Sequence, residues 1–149
     1  MSCTALHPPV RIRRLRRGER RPVLEVFAGL SERSRGLRFL GPKPRLGERE
    51  LATLVDVGAE RQAVVAIERS TGRTVGVARF APDGDGTAEV AFAVVDAWQG
   101  RGVGRLLADE LREVGLGVGL THFTATVAAG NAAAAALLRR LGEPVEMRI

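Results

Sequence analysis

The sequence has few cysteine and few aromatic residues, and each shortage excludes or disfavours a class of protein. Cys3 is the only cysteine, so an intrachain disulfide and a structural zinc site built on two or more cysteines are excluded. There is no tyrosine and aromatic residues make up 4% of the chain, which disfavours binding of single-stranded nucleic acid by base stacking. No apolar run approaches the about 18 residues that a membrane-spanning helix needs, and no signal peptide is expected. We therefore expect a cytoplasmic protein without a metal and without a membrane contact.

The positive charge of the chain is almost entirely arginine. The formal net charge is +6, Lys43 is the only lysine, and seven arginines fall between Arg11 and Arg21. A basic patch of this kind can bind nucleic acid, a phosphorylated cofactor or an acidic protein. Nucleic acid is disfavoured by the shortage of aromatic side chains, and it would require an affinity that falls steeply with salt.

Length and hydrophobic periodicity predict one mixed α/β domain. The 149 residues suit a single compact unit, and the 45% of hydrophobic residues suffice for one core. Residues 1–9 are expected to form a flexible start, and residues 31–47 a connection rich in helix breakers. The spacing of apolar residues predicts the element order β-α-α-β-β-β-α-β-α-β. The predicted strands are 10–15, 62–68, 74–80, 87–95, 121–127 and 145–149, and the predicted helices are 19–30, 48–57, 102–114 and 131–141.

A glycine-rich segment, Gln99-Gly100-Arg101-Gly102-Val103-Gly104, lies between a predicted strand and an amphipathic helix. The first amides of a helix have no partner within the helix, and they attract negative charge. Glycines there allow a phosphate to approach the backbone, and Arg101 and Arg105 can add charge-assisted bonds. No Gly-Lys-Ser/Thr follows, so the segment is not a Walker loop. The antiparallel run before it disfavours a dinucleotide fingerprint. Two interpretations remain: a phosphate site of another kind, or an ordinary glycine-rich helix start.

These residues resemble the acetyl-CoA motif of the GNAT superfamily of N-acetyltransferases. That motif reads Gln/Arg-x-x-Gly-x-Gly/Ala, and Gln99, Gly102 and Gly104 fill it. A second similarity is Asn131, followed by an alanine-rich helix that ends at Gly142. The resemblance implies the GNAT fold over residues 10–149: a central, mostly antiparallel sheet with splayed strands, flanked by helices.

The resemblance also implies roles for individual residues in binding acetyl-CoA as the co-substrate. The backbone at Val94 and Val95 would contact the pantetheine arm, and the thioester would lie in the gap between two splayed strands. Asn131 would bond the pantetheine or order the acceptor side. The pyrophosphate would be held by Gln99, Gly100, Arg101, Gly102, Val103, Gly104 and Arg105.

Glu89 is the candidate general base for the transfer. An amine attacks a thioester only in its neutral form, and most primary amines are protonated at neutral pH. Period-two alternation places Glu89 on one face of its strand with Ala91, Ala93 and Val95. An oxyanion would be stabilised by a backbone N–H near Val94 or Val95.

Two kinds of acceptor are compatible with the sequence. The segments at residues 30–40 and 88–92 resemble bacterial protein-lysine acetyltransferases, in which the glutamate matching Glu89 serves as base. A small-molecule amine is the other acceptor considered. Family members often carry a tyrosine where Leu138 stands. They usually continue with two strands after the last helix, whereas only residues 143–149 follow it in this sequence. These departures keep open a non-catalytic acetyl-CoA-binding regulatory module, and an open sheet edge would favour a homodimer.

Overall fold

A six-stranded sheet organises the chain. The computed structural model describes residues 9–39, 41, 43–126, 132–141 and 145–148. The strands follow one another in chain order across the sheet, the first four antiparallel and the last two pairings parallel. They are β1 (Val10–Arg14), β2 (Gln62–Glu68), β3 (Thr74–Gly84), β4 (Thr87–Val94), β5 (His122–Thr126) and β6 (Val145–Arg148).

Helices cover the two faces of this sheet. Seen from β3, side chains such as that of Ala78 lie on the α4 face, because a Cβ placed on Gly76 would lie 2.9 Å from Cδ1 of Leu107. The opposite face is covered by α1, whose end meets Val95 at Gly29. The helices are α1 (Arg20–Ala28), α2 (Glu32–Phe39), α3 (Glu48–Leu54), α4 (Val103–Gly117) and α5 (Ala132–Arg140), with a short 3₁₀ helix at Asp96–Trp98.

The core lies on both sides of β2 and β3. Val64, Val65 and Ala66 of β2 are fully buried, as expected for a central strand with helices on both faces. Leu107 and Leu111 of α4 are also fully buried, and their spacing places one stripe of the helix on the sheet. The mixed α/β class and the mostly antiparallel sheet are therefore as predicted.

Two predictions of local structure were wrong. The connection at residues 31–47, predicted to have no regular structure, contains α2. Ser31 begins it, since the hydroxyl oxygen accepts a bond from the Ser34 amide at 3.1 Å, a local N-cap that outweighs the glycine at position 36. The second error concerns β3, which continues to Gly84 through a register irregularity between Pro82 and Gly84, where a loop was expected.

None of the helices in the described part of the chain is both long and apolar enough to cross a membrane.

Candidate active site

The loop between β4 and α4 takes its shape from two glycines. Gly100 and Gly102 have φ values of +74° and +87°, in the left-handed region where a Cβ is disfavoured. Gly102 is the last residue before α4 and has no side chain to cap the helix. The sequence Gln99-Gly100-Arg101-Gly102 therefore brings the chain to the first turn of α4 and leaves that turn uncapped.

The amides at this helix start donate no hydrogen bond within the described part of the chain. This holds for each backbone N–H from Gly100 to Arg105. Gly100, Arg101 and Gly102 are exposed, as is Arg105. Amides of this kind at the positive end of a 15-residue helix, with two arginines beside them, form an anion site of the kind that binds phosphate.

Not every residue of the motif faces this anion site. Gly104 faces α5, because a Cβ there would lie 3.1 Å from two methyl carbons of Leu137, a tight contact. The Val103 side chain is buried, so only its amide can contribute. The Arg101 guanidinium lies 3.9 Å from the ring centroid of Trp98, a cation–π contact that holds it near the loop.

A gap opens between β4 and β5 immediately before the loop. The two strands pair only from Thr87↔His122 to Glu89↔Thr124, and the rest of β4 has no pairing with β5. The amide of Val95 bonds the carbonyl of Val75 on β3 at 2.9 Å. Since backbone groups alternate in direction along a strand, the N–H and C=O of Val94 point toward the gap. This is the splay that the resemblance implied.

The structure also distinguishes the backbone amide of Val94 from that of Val95, two residues for which the sequence predicted the same role. Besides its bonded amide, Val95 uses its carbonyl to accept the amide of Trp98 at 2.9 Å. The Val94 amide has no hydrogen bond with the described residues, and the Val94 carbonyl accepts from Nε2 of Gln99 at 2.9 Å. The available backbone donor at this point is therefore that of Val94.

Gln99 and Asp96 tie the loop to α2 on the other face of the sheet. Nε2 of Gln99 also donates to Oγ of Ser34 at 3.2 Å, and Oδ1 of Asp96 accepts from the amide of Ser31 at 2.9 Å. Desolvation raises the pKa of Asp96, but the hydrogen bonds from Ser31 and Ser34 outweigh it and lower that pKa below its usual value. A charged Asp96 thus anchors the N-terminus of α2, where a negative charge is favourable.

Glu89 lies at the point where β4 and β5 part, and its side chain is exposed. The register Ala81↔Glu89 and Arg79↔Ala91 places Arg79 of β3 on the same face as Glu89. On this face α2 packs against β4 and brings Arg38 close enough for its charge to interact with both Glu89 and Arg79. One carboxylate and two guanidiniums therefore share the face opposite α4.

Arg38, Arg79 and Asp96 were not assigned a role from the sequence. Arg79 was detectable, because it is the only charged side chain in the otherwise apolar run from Val75 to Ala81, and a charge within a strand of the core needs a reason. Arg38 gave no such signal, since it is one of many arginines in the chain. Its place beside Glu89 depends on how α2 packs.

Four of the seven arginines at residues 11–21 form ion pairs with acidic side chains. The pairs are Arg13–Glu19 at 2.6 Å, Arg17–Asp56 at 3.2 Å, Arg20–Glu48 at 3.0 Å and Arg21–Glu25 at 3.6 Å. The segment is therefore a poorer docking surface for nucleic acid or for an acidic protein than its composition suggested.

Two further expectations concern the end of the chain. Asn131 lies outside the described residues. Leu138 of α5 is 1% exposed, so the position where relatives often have a tyrosine belongs to the core here.

Within the described part of the chain, no three His, Cys, Asp or Glu side chains are grouped so that they could hold a metal ion.

Comparison with known proteins agrees with this geometry. Residues 31–142 match the family model described as the acetyltransferase (GNAT) family. No curated protein matches the sequence. The structure of the GNAT domain of S. lividans PAT is 26% identical, covering 89% of this chain and 80% of that one, with a TM-score of 0.80.

Two other solved structures define how far the likeness extends. A cAMP-binding acyltransferase from Mycobacterium smegmatis is 30% identical with a TM-score of 0.59; the match covers 89% of this chain but 39% of that one. A phosphinothricin acetyltransferase from Sinorhizobium meliloti, solved with AcCoA, is 21% identical with a TM-score of 0.72, over 91% and 75% of the two chains. The last shows the fold alone. Together with the family model, these matches confirm the predicted resemblance and the predicted GNAT fold.

Proposed function

The chain belongs to the acetyltransferase (GNAT) family, and we propose that it moves an acetyl group from acetyl-CoA to a primary amine, with Glu89 as general base and a protein lysine as the acceptor. Family membership confirms the enzyme class predicted from the sequence, an acetyl-CoA-dependent N-acetyltransferase. The acceptor, the base and the binding residues are the parts that we propose. The predicted homodimer and cytoplasmic location stay predictions.

The observation that carries this proposal is the set of amides at the start of α4 that donate no hydrogen bond to the described residues. A pyrophosphate needs several donors and positive charge in a small space, and the amides from Gly100 to Arg105 supply the donors. Arg101 and Arg105 supply the charge. Gly100 and Gly102 leave open space above the backbone, since a Cβ at either would meet nothing within 4 Å.

The gap between β4 and β5 suits the pantetheine arm and the reacting group. The arm contains amides, and the Val94 carbonyl, which points away from β3, can accept from one of them through its second lone pair. Bound acetyl-CoA supplies the acetyl group as a thioester, whose carbonyl oxygen gains charge during attack. The Val94 amide is the donor positioned to stabilise that charge. Asn131 is proposed from the resemblance alone.

Glu89 is placed to remove the proton from the amine. It stands at the end of the β4–β5 pairing, where the gap begins, and its carboxylate is open to an approaching acceptor. A primary amine with a pKa near 10.4 must lose a proton before it can attack. A lysine acceptor is supported by the similarity of residues 30–40 and 88–92 to bacterial protein-lysine acetyltransferases.

Substitution of Glu89 by Gln tests this proposal. The Glu89→Gln variant should lose about 10²- to 10⁴-fold in kcat, because the amide cannot accept the proton. Its affinity for acetyl-CoA, measured by calorimetric titration, should stay unchanged, because the phosphate site is remote from the carboxylate. Glu113→Gln on the exposed side of α4 is the matched control and should retain full activity.

The acceptor assay uses lysine-containing peptides beside small primary amines, with thiol release as the readout. Peptides turned over faster than the small amines would support the lysine assignment, and the reverse order would overturn it. A Glu89→Gln enzyme with unchanged kcat would remove Glu89 from the proposed role. Failure of the wild-type chain to bind acetyl-CoA would overturn the phosphate site.

A further inference from the structure

Two arginines, Arg38 and Arg79, lie beside Glu89, and the described residues do not fully neutralise their positive charge. Arg79 donates from Nη1 to the Leu54 carbonyl at 2.9 Å. Arg38 lies over the Phe39 ring, with its guanidinium carbon 4.7 Å from the centroid. Within the described part of the chain neither forms an ion pair within 4.0 Å. Glu89 is the carboxylate whose charge acts on Arg38, so one negative charge faces two positive ones.

Partial burial makes this charge expensive for the free protein. Both arginine side chains are half-buried. Burial, opposed by the charge of Glu89, lowers the pKa of Arg38; burial and the charge of Arg38 lower the pKa of Arg79 to about 9. Arg79 therefore remains mostly protonated at neutral pH. A poorly hydrated pair of cations gains much from an anion that reaches both.

The position of Arg38 is fixed by the structure around α2. Asp96 and Gln99 hold the N-terminal end of this helix. Nε and Nη2 of Arg35 donate to the Phe27 carbonyl at 3.3 and 3.0 Å, and the rings of Phe27 and Phe39 pack edge to face at 5.9 Å. These contacts hold α2, and with it the backbone of Arg38, in place before any acceptor binds, which lowers the entropic cost of binding.

We propose that the acceptor amine carries a carboxylate close to its amino group, and that Arg38 and Arg79 bind this carboxylate while Glu89 faces the amine. The inference rests on the proposed function, since it specifies the acceptor of the same reaction. A carboxylate suits the site because a guanidinium can hold it through two parallel hydrogen bonds. It can belong to a small amino acid or to an acidic side chain next to a lysine.

Matched acceptors that differ only in the carboxylate test the inference. The small-molecule arm compares β-alanine, 4-aminobutyrate and 6-aminohexanoate with their carboxamides. The peptide arm compares a lysine flanked by Asp with the same lysine flanked by Asn. We expect kcat/KM to favour the acidic member of at least one arm by about 10- to 100-fold, equivalent to about 1.4–2.7 kcal/mol. The arm that responds identifies the source of the carboxylate, and equal rates in both arms would overturn the inference.

Variants show whether the two arginines cause the preference. Arg38→Gln should reduce the ratio of kcat/KM between acidic and neutral acceptors to near one. Arg33→Gln, on the same helix but exposed, should retain the ratio. Arg79→Gln can weaken folding through the Leu54 contact, so Arg79→Lys, which retains the charge but cannot form a two-pronged bond, accompanies it and should give an intermediate ratio. A preference that survives Arg38→Gln would contradict the assignment.

Binding without turnover separates this inference from the proposed function. CoA-loaded protein is titrated calorimetrically with each acid and with its carboxamide. Tighter binding of the acids that disappears in Arg38→Gln would support the carboxylate site even if acetylation of every acceptor failed, a result that would reject the proposed reaction alone. Equal binding of acids and carboxamides would reject the carboxylate site alone.

Discussion

Gly29 lies so close to Val95 that a methyl group on Gly29 would fall 2.5 Å from Cγ1 of the valine. The contact joins the end of α1 to the chain just before the loop between β4 and α4. The Gly29 carbonyl also accepts a hydrogen bond from the amide of Asp96 at 3.1 Å. Any side chain at position 29 must push this segment away. The geometry of the loop therefore depends on a glycine that lies 70 residues earlier in the sequence.

The Gly29→Ala substitution should destabilise the protein and disturb the loop together. Overpacking of this kind costs about 1–3 kcal/mol, and displacement of Val95 should weaken acetyl-CoA binding several-fold. Denaturant unfolding and calorimetric titration measure the two effects. Gly58→Ala is the control, because a Cβ there would meet nothing within 4 Å. Wild-type stability in Gly29→Ala would show that this contact relaxes at no cost.

The Gly102→Ala substitution should reduce acetyl-CoA affinity without any steric clash. A Cβ at Gly102 would meet open space, but its φ of +87° costs a non-glycine residue about 1–2 kcal/mol. Relief of that strain rotates the amides at the start of α4, so we expect the Kd for acetyl-CoA to rise about tenfold. Gly117→Ala, in open space at the other end of α4 and without a positive φ, should bind like the wild type. Equal affinities in all three proteins would exclude the loop as the pyrophosphate site.

The link between Gln99 and Ser34 should couple the loop to α2. Gln99→Ala removes the bonds to both Ser34 and Val94, while Ser34→Ala removes the first alone. We expect Gln99→Ala to raise KM for both acetyl-CoA and the amine, because α2 and the loop lose a shared anchor. A double-mutant cycle on unfolding free energy should give a coupling of about 0.5–1.5 kcal/mol. Strictly additive effects would mean that the two residues act independently.

The Arg13–Glu19 ion pair should make stability depend on acid pH. The hydrogen bond from Arg13 is the largest cause that lowers the pKa of Glu19 from 4.5 to about 2. Because the folded pKa lies below the unfolded one, the stabilisation is complete above pH 4.5 and is lost as the pH falls toward 2. With each side chain about a fifth exposed, we expect a contribution of about 1–2 kcal/mol at pH 7.

Urea unfolding of Glu19→Gln between pH 7 and pH 2.5 measures this contribution. The variant should be less stable than the wild type at pH 7, and the difference should shrink below pH 4.5. Asp56→Asn is the control, because its ion pair with Arg17 is mostly exposed and should contribute less than about 1 kcal/mol at any pH. A difference that stays constant down to pH 2.5 would contradict the shifted pKa.

Local patterns in the sequence determined most of the fold. A run rich in Val and Ile gave β2 the same bounds that the structure has, and the glycine run located the start of α4 within one residue. The family resemblance rests on the same short segment, because a phosphate loop is built from consecutive residues. Its chemistry depends on backbone φ values and helix amides, which neighbouring residues control.

Tertiary structure decided what surrounds that loop. The sequence did not show that the Val95 amide is bonded to Val75, that Gly104 faces Leu137, or that Gly29 lies against the loop. Nor did it bring Arg38 and Arg79 to Glu89. The physical reason is that sheet register and helix packing set distances between residues far apart in the chain. Spacing along the sequence carries that information only within one turn of a helix or one strand.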